Sequence, residues 1–232
     1  MKRFWKDVSI AAVENGWQVR LDGRGVKSQG TRLPQIVSSE ALAEALAQEW
    51  RAQGEDIDPR GFPMRDLADY ALDIVAADRD AAIAGLLRYA ETDTLCFRAE
   101  PDDPLWHRQQ EMWEPLVAAL EDSAGIALER VSGVGHRPHP PETMPRLTKQ
   151  LAGFDDFTLA ALATLASLAA SLCVALEVAG GERSAKDLFA AANLEEDWQA
   201  ERWGMDEEAQ RVRALREADF LRAATFLELA RS

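Results

Sequence analysis

The chain has 232 residues, 47% hydrophobic and 28% charged, which suits a globular protein with ample core. A formal net charge of −14 and a pI near 4.7 argue against nucleic acid, because binding a phosphate backbone needs a basic stripe. The same charge disfavours anionic membrane surfaces and suits a partner carrying basic groups.

Residues 1–37 read as a small antiparallel β domain. Val8, Ile10 and Ala12 alternate ahead of Asn15-Gly16. Trp17, Val19 and Leu21 alternate with Gln18 and Arg20, the period of a half-buried strand. Asp22-Gly23 follows as a hairpin turn. Gly23 to Ser28 resembles a phosphate loop only superficially: Val26 separates Gly25 from Lys27-Ser28, and no helical pattern follows.

Residues 38–232 read as an all-helical domain, so the fold class is α+β. Leu42, Leu46 and Trp50 mark a first helix that should stop near Gln53-Gly54. Leu67 to Val75 and Ile83 to Ala90 mark two more, the latter broken by Thr92-Asp93-Thr94. Leu105 to Leu120 is helical, with Pro115 expected to kink or split it. Ile126 to Val134 reads as extended, and Gly135 to Pro145 as a proline-rich surface loop.

Phe157 to Leu176 holds no charge, Gly or Pro, and places Leu at steps of three and four. A helix apolar all round is buried or spans a bilayer. Its Ala, Ser and Thr content, acidic flanks and lack of a second span favour burial, as one central helix around which the others pack. Cys173 lies within it, so Cys173 and Cys96 read as buried free thiols in a reducing cytoplasm. Gly180-Gly181 ends the segment, and Ser184 to Asp187 has the spacing of a capping box. The helix begun there should run to Trp203, and a last helix to about Ala230.

No catalytic or cofactor motif emerges. His136 and His139 sit among prolines without the further ligands of a metal site. No nucleophile has a sequence neighbour to activate it. The run Leu194 to Gly204 stands out: on one continuous helix Glu195 would share a stripe with Leu188, Ala191, Ala192 and Gln199. A carboxylate so placed should lie at the edge of the core or meet a cation on a partner.

Six blocks then carry a resemblance: RFWKDVSI (Arg3 to Ile10), GWQVRLDGRGVKS (Gly16 to Ser28), Glu49-Trp50, YAETDTLCFRAEP (Tyr89 to Pro101), QEMWEPL (Gln110 to Leu116) and LEEDWQAERWG (Leu194 to Gly204). They span nearly the whole chain in order. The sequence resembles the Atp12-type assembly chaperones of the ATP synthase catalytic sector. That resemblance implies a chaperone rather than an enzyme, without a cofactor. Its implied client is the α subunit of the F1 sector, held from aggregation until a β subunit replaces the chaperone. It implies a site on Glu195, where the family has an acidic position, with Glu196, Trp198, Glu201 and Trp203 beside it. Glu49, Trp50, Asp93 and Trp113 fall on motif positions with a structural role. Eukaryotic members carry mitochondrial leaders and act in the matrix; the start MKRFWKDVSI suits a bacterial cytoplasmic member. A helical small-molecule-binding protein or enzyme with a carboxylate-lined pocket is the alternative reading.

Overall fold

A computed structural model of the chain describes residues 1–133, 135 and 137–232; His136 lies outside the described residues. The chain divides into two compact units, Met1–Ala81 with Asp155–Ala161 and Thr225–Ser232, and Ala82–Phe154 with Leu162–Ala224.

The first unit is built on a three-stranded antiparallel sheet, β1 (Val8–Val13), β2 (Gly16–Leu21) and β3 (Arg24–Gly25), in that spatial order. Val8 faces Leu21 and Val13 faces Gly16, so β1 and β2 form a two-residue hairpin. Asp22 and Gly23 both have positive φ, 49° and 78°, the backbone that an Asp-Gly turn supplies between twisted strands. The glycine-rich stretch is therefore a hairpin turn. Helix α1 (Glu40–Ala52) starts at Ser39, whose Oγ accepts from the Leu42 N–H at 3.0 Å. Its buried stripe of Leu42, Ala43, Leu46, Ala47 and Trp50 packs on β1 and β2.

Trp50 lies between Trp5 and Phe62, with ring centroids 4.9 and 4.6 Å away, and the Arg65 guanidinium stacks on Phe62. Helix α2 (Pro63–Tyr70) follows Phe62, which has no side-chain acceptor for a cap. Glu49 supplies it from α1: its carboxylate accepts from the Met64 and Arg65 N–H groups at 2.7 and 3.0 Å. Burial nonetheless raises the Glu49 pKa against these two bonds. A π-helical turn, Ala71–Val75, continues α2. There Asp73 accepts from Ser28 Oγ, the Gly30 N–H and both donors of Thr31. Burial pushes that carboxylate up, and the four bonds outweigh it, holding its pKa at about 2. A Cβ on Gly30 would lie 2.7 Å from the Asp73 oxygen, so the loop closes on the carboxylate only with glycine there.

The chain continues through α3 (Arg79–Glu91), β4 (Phe97–Arg98), α4 (Pro104–Ala124), β5 (Val131–Ser132) and α5 (Thr143–Ala152). β4 and β5 pair in parallel over two residues, a small ladder within the helical region. α4 runs unbroken through Pro115, flanked by buried Trp113, Leu116, Val117 and Leu120; the proline forfeits only the one bond its missing N–H would have made. The loop expected through Pro145 ends at Thr143, where α5 begins. Pro145 sits in the first turn, whose N–H groups have no intrahelical partner, so it costs that helix little.

The central apolar segment is two helices rather than one. α6 (Asp156–Ala169) and α7 (Leu172–Gly180) are separated by Ala170 at φ 48° and an extended Ser171. Leu159, Leu162, Leu165, Leu172, Cys173 and Val174 are all fully buried. Among the described residues no helix is long and apolar enough to cross a membrane. Cys96 and Cys173 are both buried free thiols, with burial pushing the Cys96 pKa up to about 12.

Asp93, on the turn after α3, holds the break. Its carboxylate accepts from the Leu95 N–H at 3.0 Å and the Cys173 N–H at 2.9 Å, and the Ser171 hydroxyl and Leu172 N–H add to it. Thr94 donates through both N–H and Oγ1 to the Ala170 carbonyl. A non-glycine residue in the left-handed region costs roughly 1–2 kcal/mol, and charge-assisted bonds of about 1.5–3 kcal/mol each offset it.

The segment expected as one helix to Trp203 is also two, α8 (Ala185–Ala192) and α9 (Leu194–Trp203), before α10 (Glu207–Ala230). Asn193 divides them: its Nδ2 donates to the Phe189 carbonyl at 2.8 Å, and its Oδ1 accepts from Arg216 at 3.2 Å. The stripe through Leu188 and Glu195 therefore does not exist; Leu194 turns inward and Glu195 outward.

Two outcomes follow. Trp50→Arg should lower stability by about 3–5 kcal/mol, since it leaves a cation in an aromatic stack; an unchanged thermal midpoint would contradict the burial. Full burial pushes the Asp93 pKa to about 6, above the unfolded value near 3.9. Its protonation-linked stability is full below about pH 4 and lost as pH rises through about 6. The stability lead of wild type over Asp93→Asn should therefore grow by about 1 kcal/mol from pH 7 to pH 5 in urea unfolding; a pH-independent gap would contradict it.

Candidate functional site

The sequence points to α9, and the structure shows what each acid there does. Glu196 lies 3.4 Å from both Arg213 and Arg216 on α10. Asp197 pairs with Arg213 at 2.8 Å. Glu201 holds Arg108 of α4 through two bonds, at 2.6 and 2.9 Å. Trp198 is flanked by two guanidinium groups, Arg202 at 4.5 Å and Arg108 at 5.4 Å from the ring. These contacts fasten α9 to its neighbours within the second unit.

Glu195 differs. Among the described residues it pairs with no cation; its one hydrogen bond is from Gln109 Nε2, at 2.8 Å. The residue is exposed as a whole, yet crowding of the carboxylate raises its pKa, and the Gln109 bond only partly opposes that. Gln109 itself is fully buried, and its Oε1 accepts from the Ala99 N–H at 2.8 Å. Its carbonyl accepts from Arg98, whose guanidinium also stacks on Trp113 and meets Glu114. Trp113 Nε1 donates to the Ala191 carbonyl at 2.7 Å, at the end of α8. A buried polar chain thus runs from Trp113 and Arg98 through Gln109 to a carboxylate on the surface.

A cavity of about 540 Å³ lies between α4, α8, α9 and the start of α10, lined on α9 by Leu194, Asp197, Ala200 and Glu201. Met112, Leu194 and Met205 give it an apolar lining, and the Arg108–Glu201 and Arg213–Asp197 pairs rim it. Met112, in the lining, is exposed, as are Trp203 at the end of α9 and Val212 and Leu215 on α10. Trp203 is 76% exposed, a large apolar side chain left mostly in solvent. Sequence reasoning placed Trp203 here and missed Met112, Met205, Val212 and Leu215. Their signal was weak, since apolar residues on a mostly polar helix pass for ordinary spacing.

Glu49, Trp50, Asp93 and Trp113 have the cap, stack, tether and indole bonds described above. His139 accepts from the Glu129 N–H at 2.9 Å and bonds the Ala90 carbonyl. No cluster of metal-ligating side chains occurs among the described residues.

The site is thus an open cavity of mixed apolar and ionic lining on an α+β scaffold. The chain is a member of the ATP12 chaperone family, whose model, described as "ATP12 chaperone protein", matches residues 2–121. The mitochondrial protein atp12 of Schizosaccharomyces pombe is 27% identical over 223 residues, covering 91% of this chain and 76% of that protein. The crystal structure of Atp12 from Paracoccus denitrificans superposes with a TM-score of 0.93 at 37% identity, over 99% of this chain and 98% of that one. A mutant of the same P. denitrificans protein matches equally well, over 97% of its chain. The α9 motif lies beyond the family model's match and within the span these structures share. In this family the chain is an ATP synthase assembly chaperone.

The polar chain predicts an order of effects. Gln109→Leu strips the Ala99 N–H of its acceptor and should cost about 1–3 kcal/mol. Glu195→Gln keeps an acceptor for Gln109 and should change stability by less than about 0.5 kcal/mol. Urea unfolding measures both; the reverse order would contradict the arrangement.

Proposed function

We propose that this protein is a binding chaperone, not an enzyme, whose client is the free α subunit of the F1 sector of ATP synthase, held through the face of α9 and α10. The observation that carries the reading is Glu195: among the described residues its carboxylate pairs with no cation, and it follows Leu194, which lines the cavity, on the helix that ends in exposed Trp203. A subunit waiting for its partner exposes apolar surface that invites aggregation. The apolar part of the lining covers that surface, and an unpaired carboxylate on the same helix selects a cation. The β subunit releases the client by competing for the same surface with more buried area. A small-molecule reading gains little, because Asp197 and Glu201, the acids that line the cavity, are already spent on Arg213 and Arg108.

Glu195→Lys tests this. The lysine offers Gln109 Nε2 no acceptor, so the variant should lose about 1–3 kcal/mol of stability while remaining folded, and need about tenfold more protein to suppress aggregation of isolated α subunit, measured by light scattering, the equivalent of about 1.4 kcal/mol. Suppression at the wild-type concentration would remove Glu195 from the site.

A further inference from the structure

The first unit carries a second surface of opposite sign. In a chain with a net charge of −14, residues 1–37 hold seven Lys and Arg against three Asp and Glu. One of those acids, Asp22, is spent on the Lys6 and Asp7 N–H groups at 3.0 and 2.8 Å. Lys6, Arg24, Lys27 and Arg32 are all exposed, and among the described residues none forms an ion pair.

Topology gathers them. The β2–β3 turn leans on the segment before β1, since the Asp22 N–H donates to the Asp7 carbonyl at 3.0 Å; this sets Lys6 and Arg24 to either side of Asp22. Arg24 opens β3, the outer strand of the sheet. The chain continues past Val26, whose N–H donates to the Val19 carbonyl, to Lys27, bridged to Pro34 beside Leu33 and Arg32. The cations thus run from the β2–β3 turn along β3 to the loop through Arg32, with the Asp73 carboxylate tucked against that loop. Two large apolar side chains stand by this strip of cations: Phe4 (68% exposed), two residues before Lys6, and Leu33 (63%), next to Arg32.

The strip is also preset. Asp73 fixes Ser28, Gly30 and Thr31, and Arg32 is held at φ 62°, a conformation costing roughly 1–2 kcal/mol for a side-chain-bearing residue. Scattered surface lysines are ordinary. Unpaired cations beside exposed apolar side chains on a fixed strip of an acidic protein form a complementary surface.

We infer that this strip docks an acidic, apolar-bearing stretch of a client polypeptide, as a contact separate from α9. An anionic bilayer would be drawn to the same cations, but the strongly acidic remainder of the chain opposes that approach. An isolated acidic segment meets the strip alone. The Debye length of about 8 Å at physiological salt confines the attraction to such a local contact.

The test uses the full chain and a fluorescent peptide of alternating Glu and Leu, read by anisotropy at about 50 and 300 mM salt. Wild type should bind it, more weakly at high salt. The double variant Lys27→Glu, Arg32→Glu should bind at least tenfold more weakly, and Leu33→Ser severalfold more weakly, each with the wild-type melting temperature. Glu195→Lys should bind the peptide as wild type does, so failure here and failure of the α9 reading are distinguishable. No binding, or binding indifferent to the charge reversal, overturns the inference. So does sedimentation with phosphatidylserine vesicles in place of peptide binding. A salt-sensitive dimer abolished by the charge reversal would assign the strip to a second copy and overturn it as well.

Discussion

One buried carboxylate sets the geometry of the helical unit. Asp93 meets backbone donors on both sides of it, at Leu95 and at Leu172 and Cys173, and so pins the break between α6 and α7. Without that tether Ala170 would have no reason to stand at positive φ, and Leu and Ala on both sides favour a continuous helix. The break redirects α7, which packs on α4 and α8, while α4 also packs on α9. Gln109 and Trp113 on α4 then meet Glu195 and the end of α8. The position of the surface carboxylate is thus the last link of a chain that begins with a desolvated acid in the core.

Much of this was legible in the sequence, and the misses share a cause. The hairpin, the stripe of α1, the end at Gly181 and the cap at Ser184 are local events, decided within a few residues. The breaks at Ala170 and Asn193 are not. Ser171 does carry a local signal, since its Oγ accepts from the Val174 N–H as a helix cap, but Ser in a Leu/Ala run also reads as a small residue for close packing. Its conversion to a cap depends on Asp93, 78 residues earlier. Asn193 likewise needs Arg216 to hold its side chain. The role of Glu49 was hidden for the same reason: it caps a helix other than its own. At the candidate site, the sequence indicated which helix bears the acids but not that Glu196, Asp197 and Glu201 are consumed by arginines from α4 and α10.

That distribution of charge matters for a chaperone, which must bind and then let go. Acids already paired within the fold add rigidity and set the rim, but contribute little attraction. On the proposed reading, a mixed apolar cavity and an uncommitted carboxylate would give a contact of modest strength, which a partner burying more area would displace. In the proposed reading, buried network and open face play separate roles: the first fixes where α9 stands, the second is offered to the client.

The most direct test places a photo-reactive amino acid at Leu215 and, separately, at Trp203, and irradiates each protein with isolated α subunit. The account predicts cross-links from both positions to the apolar surface of α that the β subunit covers in the assembled sector, with competition by added β. Cross-links indifferent to β, or none from either position while the subunit remains soluble, would contradict it.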